Sequence, residues 1–177
     1  GKDSSLVLAL VFEAIRRIPQ KARQKVVHIV SSDTKVETRK MTNYLLKNLR
    51  LIKQHAAAYN LRVHLVQPNV KQSFFYNVIG KGMVAPKPPS PFQWCTERMK
   101  ILPMDHVVID ILREQRQLDC DLTNAHDAYM FVGSRLDESA RRAANIKKLA
   151  SDEGELFGIN PTFKEIKMVY PVKFVAT

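Results

Sequence analysis

Apolar residues crowd the stretch Leu6, Leu8, Leu10, Val11, Phe12 and Ile15 on nearly every side of a helical projection. That pattern predicts a helix from about Asp3 to Ile18, buried at its start and stopped by Pro19. Val26 to Val30 is a β-branched run of strand length that ends in the polar turn Ser31-Ser32-Asp33-Thr34. From Glu37 to Tyr59 the apolar positions Met41, Leu45, Leu49, Ile52, Ala56 and Tyr59 recur at helical spacing, with Asn60 placed to cap the C-terminus. Arg62 to Val66 then reads as a second strand. Gln72 to Ile79 predicts a short helix carrying Phe74, Phe75 and Tyr76. The segment from Lys81 to Pro91, with Gly82, Pro86, Pro88, Pro89 and Pro91, predicts an irregular surface loop, either a lid or a plain connector. Further on, the pattern predicts a helix over 105–115, a strand over Tyr129 to Val132 and a helix from Glu138 to about Leu149. An acidic turn follows at Ser151 to Glu155, then a last apolar run from Ile166 to Val175. No repeat or low-complexity segment interrupts the series.

Strand, long helix, strand is a βαβ unit, and a helix ahead of the first strand implies another strand before Gly1. The expected fold class is therefore α/β: one parallel β-sheet with helices on both faces. Ligands in such sheets bind outside the carboxyl ends of the strands. Gly1–Ser5 and Ser31–Thr34 are both expected at that edge. At 177 residues the chain suits one domain over 1–177, expected to be truncated at its N-terminal strand and at its C-terminus.

Charge narrows the partners. Lys and Arg outnumber Asp and Glu by 28 to 17, a net +11, which favours a polyanionic partner: a nucleotide, nucleic acid or an anionic surface. A composition 45% hydrophobic and 25% charged is that of a globular domain and excludes a disordered chain. No apolar stretch is long enough to span a membrane, and no signal peptide is evident, so the expected partners include no membrane. Two cysteines, Cys95 and Cys120, make no disulfide framework, which points to a reducing, cytoplasmic setting. His28, His55, His64, His106 and His126 show no metal-ligand spacing and read as structural or surface residues.

Four polar segments carry the candidate chemistry. Gly1-Lys2-Asp3-Ser4-Ser5 opens a helix, where unpaired N–H groups and the helix dipole suit a phosphate, although an ordinary N-cap fits the same residues. Ser32-Asp33-Thr34…Glu37 follows the first strand. Trp94-Cys95-Thr96-Glu97-Arg98-Met99-Lys100…Pro103 lies mid-chain. Gly133-Ser134-Arg135-Leu136-Asp137-Glu138-Ser139…Arg142 follows the third strand. Together they resemble the PAPS reductase-like branch of the N-type ATP pyrophosphatases, the adenine nucleotide alpha-hydrolase-like, PP-loop fold. The family's SGGxDS turn is represented by G-K-D-S. Its D-T-G…E-T segment is similar to Asp33-Thr34-Lys35…Glu37-Thr38, with Lys35 where the family has glycine. Its C-x-x-R…K…P and G-x-R…E-S segments match Cys95, Arg98, Lys100 and Pro103, then Gly133, Arg135, Glu138 and Ser139. Within that branch the strings W-C-T-E-R-M-K, S-S-D-T-K-V-E and E-S-A-R-R-A resemble the DndC- and SspD-type DNA sulfur modification proteins, over almost the whole chain.

The resemblance implies an ATP pyrophosphatase that cleaves ATP to AMP and pyrophosphate and activates a DNA backbone phosphate for sulfur incorporation, within a phosphorothioate restriction-modification system. ATP and Mg²⁺ would be its cofactors, with DNA, a sulfur donor and other modification-system proteins as partners. Gly1, Lys2, Asp3, Ser4 and Ser5 would cradle pyrophosphate, Lys2 as a point charge and Asp3 on Mg²⁺ through water. Ser32, Asp33, Thr34 and Glu37 would flank adenine and ribose. Arg98, Lys100 and Arg135 would embrace phosphates, with Glu138 expected to orient Arg135 and Gly133, Ser139 and Arg142 completing the seat. Relatives that carry a [4Fe–4S] cluster use a cysteine of the C-x-x-R segment, which makes Cys95 the candidate ligand. The remaining thiolates would have to come from outside this segment. Two other readings stay open: a PAPS or APS sulfonucleotide reductase, and a nucleotide- or DNA-binding module without turnover.

Overall fold

The computed structural model describes residues 2–86, 94–118, 128–151, 154–163 and 166–175. Gly1, Pro88, Pro89, Pro91, Cys120 and His126 lie outside them. The chain divides into two compact units, Pro19–Leu118 and the combination of Gly1–Ile18 with Asp119–Thr177. The α/β class expected from the hydrophobic pattern holds. Among the described residues, however, the strands form two sheets and not one.

In the unit Pro19–Leu118, β1 (Val27–Ser32) and β2 (Leu61–Val66) pair in parallel from Val27 opposite Leu61 to Ser32 opposite Val66. Helix α2 (Arg39–Gln54) and the short α3 (Ala56–Tyr59) make the crossover, and both pack on β2. The single helix expected over this stretch is broken at His55, whose φ of −100° and ψ of 0° leave the helical well. Asn60 is the C-cap that the sequence implies. It adopts the left-handed conformation, and its amide reaches back to the carbonyls of Gln24 and Lys25 at 3.2 and 3.1 Å, fixing where β1 begins. The expected helix over 72–79 is instead a 3₁₀ turn at Val70–Gln72, closed by a capping box between Asn69 and Gln72, followed by a π turn at Tyr76–Gly80. Helix α4 (Trp94–Thr96) runs through a second π turn (Glu97–Ile101) into α5 (Leu102–Leu118), which packs on both strands. Leu49, Leu61, Val66, Trp94, Met99 and Leu112 form the core of this unit.

The other unit holds α1 (Lys2–Arg17) and the sheet β3 (Ala128–Phe131), β5 (Ile166–Val169), β4 (Phe157–Ile159), in that order. β3 and β5 are parallel; β4 runs antiparallel to β5. This antiparallel strand is an addition to the all-parallel sheet expected from sequence, since three residues of Phe-Gly-Ile are too short to show a period. Helix α6 (Ala140–Lys148) follows β3 and is capped by Ser139, whose Oγ accepts from the Arg142 N–H at 3.2 Å. Helix α1 is not buried at its start. Leu6 and Leu10 are exposed, and Val7 and Ile15, eight positions apart on one face, are the residues that reach the core. Ile146, Ile166, Val169, Tyr170 and Val172 complete that core, and burial pushes the Tyr170 phenol above its ordinary pKa.

Candidate functional site

Two of the four polar segments meet in the unit containing α1. Gly133, just beyond the end of β3, lies directly against the first turn of α1. A Cβ built on it would stand 2.7 Å from the Ser4 nitrogen and 2.8 Å from the Asp3 carbonyl carbon, closer than any real side chain approaches backbone. Glycine is therefore a requirement of packing at this position, and it brings the G-x-R segment onto the helix start. Two residues later Arg135 is only 4% exposed. Its Nη1 donates to Asp137 Oδ2 and to the Val175 carbonyl, each at 3.2 Å. Its Nε lies 3.1 Å from Asp3 Oδ1 as an ion pair, yet the N–H is not aligned for a hydrogen bond. Glu138 pairs with Arg142 one turn along α6, and the acids that face Arg135 among the described residues are Asp3 and Asp137. Lys2, Ser4 and Ser5 are exposed on the first turn of α1.

The other two segments meet in the unit Pro19–Leu118. Asp33 extends the β1–β2 pairing by one bond, its N–H donating to the Val66 carbonyl at 2.9 Å. The Ser32 hydroxyl donates to the Met99 carbonyl at 3.1 Å, which ties the strand end to the C-x-x-R segment. The Asp33 carboxylate is buried, and accepts from the Lys35 N–H at 3.0 Å and from the Gln67 amide at 3.1 Å. Lys35 Nζ stands 3.2 Å from the same carboxylate. Lys35 has φ of +63°, the left-handed region that glycine adopts without cost, so the turn keeps a glycine-type backbone while carrying a lysine. Thr34 is buried, and among the described residues its Oγ1 has no hydrogen-bond partner. Glu37 is exposed, and Thr38 after it caps α2. Arg98 is half-buried, its Nη1 held by Asn77 Oδ1 at 2.5 Å and against Met83 Sδ at 3.8 Å. Asn77 is fully buried, and its own amide donates to the carbonyls of Lys71 and Ser73 at 3.0 and 2.8 Å. Lys100 is exposed.

The sequence profile of the phosphoadenosine phosphosulfate reductase domain matches residues 1–164. The chain belongs to that family. Neither a curated protein nor a solved structure gives a significant match.

In this PAPS reductase-like domain the expected site residues fall in both units. Asp3, Ser4, Gly133 and Arg135 are brought together in one unit; in the other, Ser32 is tied to Met99, next to Arg98, while Arg98 itself is held by Asn77. Ser139 serves as a helix cap, and Glu138 and Arg142 form a pair on the helix surface. Three residues escape reasoning from motifs: Asp137, Gln67 and Asn77. Gln67 directly follows β2, and the rule that ligands gather at strand ends could have found it. Asp137 could have been found as an acid two residues beyond a buried arginine. Nothing local marks Asn77.

One carboxylate plus substrate phosphates is a common way of holding Mg²⁺, and Asp3 is the carboxylate at the helix start. For the expected [4Fe–4S] cluster the described residues offer one thiolate, that of half-buried Cys95, and the other ligands would have to come from elsewhere.

Proposed function

We propose that this chain binds an adenosine nucleotide by its phosphate end and promotes cleavage there. The observation that carries the reading is the seating of Gly133 on Asp3 and Ser4, which sets a helix N-terminus and an arginine, Arg135, into one unit. Free N–H groups and fixed cations aimed at an oxyanion lower the barrier to any reaction in which charge develops on that oxyanion. Lys2, exposed on the same turn, adds a mobile positive charge. When bound, Mg²⁺ would supply further charge to the phosphate oxygens through Asp3.

Membership of the phosphoadenosine phosphosulfate reductase domain family supports a sulfonucleotide, PAPS or APS, as substrate. A specific set of observations favours a second reading, ATP cleaved to AMP and pyrophosphate so that a DNA phosphate can be activated for sulfur incorporation. These are the strings Trp94 to Lys100, Ser31 to Glu37 and Glu138 to Ala143, with a net charge of +11 suited to a polyanionic second substrate. In that reading the breaking bond lies between the α- and β-phosphates, where charge appears on both pieces.

One experiment separates them. Purified protein is titrated with Mg-ATP, PAPS and APS by calorimetry, and pyrophosphate release from Mg-ATP is followed with and without duplex DNA. Preferred binding of PAPS or APS with no pyrophosphate supports the reductase reading. Pyrophosphate release that is lost in Asp3→Ala supports the ATP reading. Binding of none of the three would end both.

A further inference from the structure

We infer that Asp137 is a positioning residue that holds the Arg135 guanidinium for a nucleotide oxyanion, and that Asp3 competes with that oxyanion for the same guanidinium edge. The inference deepens the nucleotide-binding reading and rests on it for the identity of the ligand. An arginine presents its donors on fixed edges, so which edge each acid holds decides what is left for a ligand. Nη1 spends both of its protons, one on Asp137 Oδ2 and one on the Val175 carbonyl. Asp137 Oδ1 lies 3.1 Å from the same Nη1, so the carboxylate faces it with both oxygens. The Leu136 N–H, bonded to the Lys173 carbonyl at 3.1 Å, ties the loop to the same C-terminal turn.

The opposite edge is different. There Nε, buried, faces Asp3 Oδ1 at 3.1 Å without a hydrogen bond. Nε and Nη2 together form the edge that grips two oxygens of a phosphate or sulfate. Asp3 therefore sits poorly where an oxyanion would sit well. One guanidinium facing two carboxylates also leaves an excess negative charge, so Asp3 is the member that can turn away without leaving Arg135 unpaired. Asp137 and the Val175 carbonyl then keep the guanidinium in place. Without Asp137, Asp3 becomes its only carboxylate among the described residues, and the Nε edge is drawn toward it.

The two acids are thus expected to act with opposite sign. Binding of inorganic pyrophosphate is measured by calorimetry in EDTA, so that no metal bridges Asp3, alongside thermal melting of each variant. Asp3→Asn should tighten pyrophosphate about threefold or more by removing the competitor, and Asp137→Ala should weaken it about tenfold by freeing Nη1. Asp137→Glu should recover most of the loss, and the double variant Asp3→Asn with Asp137→Ala should bind better than Asp137→Ala alone. A purely structural role would lower melting temperature in step with affinity and would not give the recovery in the double variant. Wild-type affinity in Asp137→Ala, or weakening by Asp3→Asn, overturns the inference. If the wild type binds pyrophosphate and neither ATP nor a sulfonucleotide, the nucleotide reading falls while the opposed effects of the two acids remain the test of this one.

Discussion

At the scale of single residues, Gly133 and Lys35 make the sharpest demands. Gly133→Ala forces a methyl group into backbone at 2.7 and 2.8 Å, which a side-chain rotation cannot relieve. Overpacking of this kind costs about 1–3 kcal/mol. We expect a lower denaturation midpoint, together with loss of pyrophosphate binding as the G-x-R loop lifts from α1. Unchanged melting would show that the loop and helix start are not in register as described. Lys35 tests the backbone from the other direction. Its φ of +63° strains any residue with a Cβ, while its ammonium partly offsets this by facing buried Asp33 at 3.2 Å. That ion pair has one partner 55% exposed and is worth little. Lys35→Gly should therefore be at least as stable as the wild type, and Lys35→Ala, which keeps the strain and loses the ammonium, less stable than Lys35→Gly by about 1 kcal/mol. Equal stability of the two variants in urea would contradict the left-handed turn.

At the scale of elements, the parallel pairing of β1 with β2 sets two histidines against each other. His28 Nδ1 and His64 Nε2 are 3.0 Å apart and the rings stack at 5.2 Å. One nitrogen must donate and the other accept, so the pair holds its hydrogen bond only while at least one ring is neutral. Burial, the larger cause for both, pushes each pKa below its ordinary 6.5, and the mutual repulsion adds to it for His28. Arg62 on β2 lowers both, Lys53 on α2 lowers His64, and Glu114 on α5 opposes them. The unfolded chain therefore binds more protons than the folded one as pH falls through about 6.5, and stability is lost in that direction. Urea midpoints should fall between about pH 7.5 and 5.5, and His64→Asn should flatten the slope. A midpoint that rises toward acid would refute the pairing. Much at this scale was legible in the sequence: both strands of the βαβ unit, the Asn60 cap and the polar strand ends follow from periods and turn residues. The π turns at Tyr76–Gly80 and Glu97–Ile101 were not: one residue from each, Asn77 and Arg98, meets the other across 21 residues, which no local period records. The partners of Arg135 were missed for the same reason: a string of motif letters gives no hint that Asp137, and not Glu138, faces it.

At the scale of the whole molecule, charge is the property from which a partner can be argued without any motif. The net +11 belongs to the entire chain of 177 residues, while the acids that matter most locally, Asp3, Asp33 and Asp137, are already engaged by Arg135 or Lys35. The surplus is therefore carried by cations other than these, among them the exposed Lys2 and Lys100. A free nucleotide needs only a few such charges; DNA uses many and releases counterions in proportion. If DNA is the second substrate, the logarithm of the binding constant should fall linearly with the logarithm of salt concentration, by about 0.9 per phosphate contacted. With about five contacts, affinity drops roughly 10²–10³-fold between 50 and 200 mM salt. Nucleotide affinity, resting on a buried arginine and a helix start, should change far less over the same range because paired and buried charges are screened weakly. Fluorescence anisotropy with a labelled duplex, run beside calorimetry with ATP and PAPS, gives both slopes on one preparation. A steep DNA slope with a shallow nucleotide slope supports the DNA-directed chemistry. A DNA slope near zero, or no DNA binding at 50 mM salt, would leave the sulfonucleotide reading, which family membership supports.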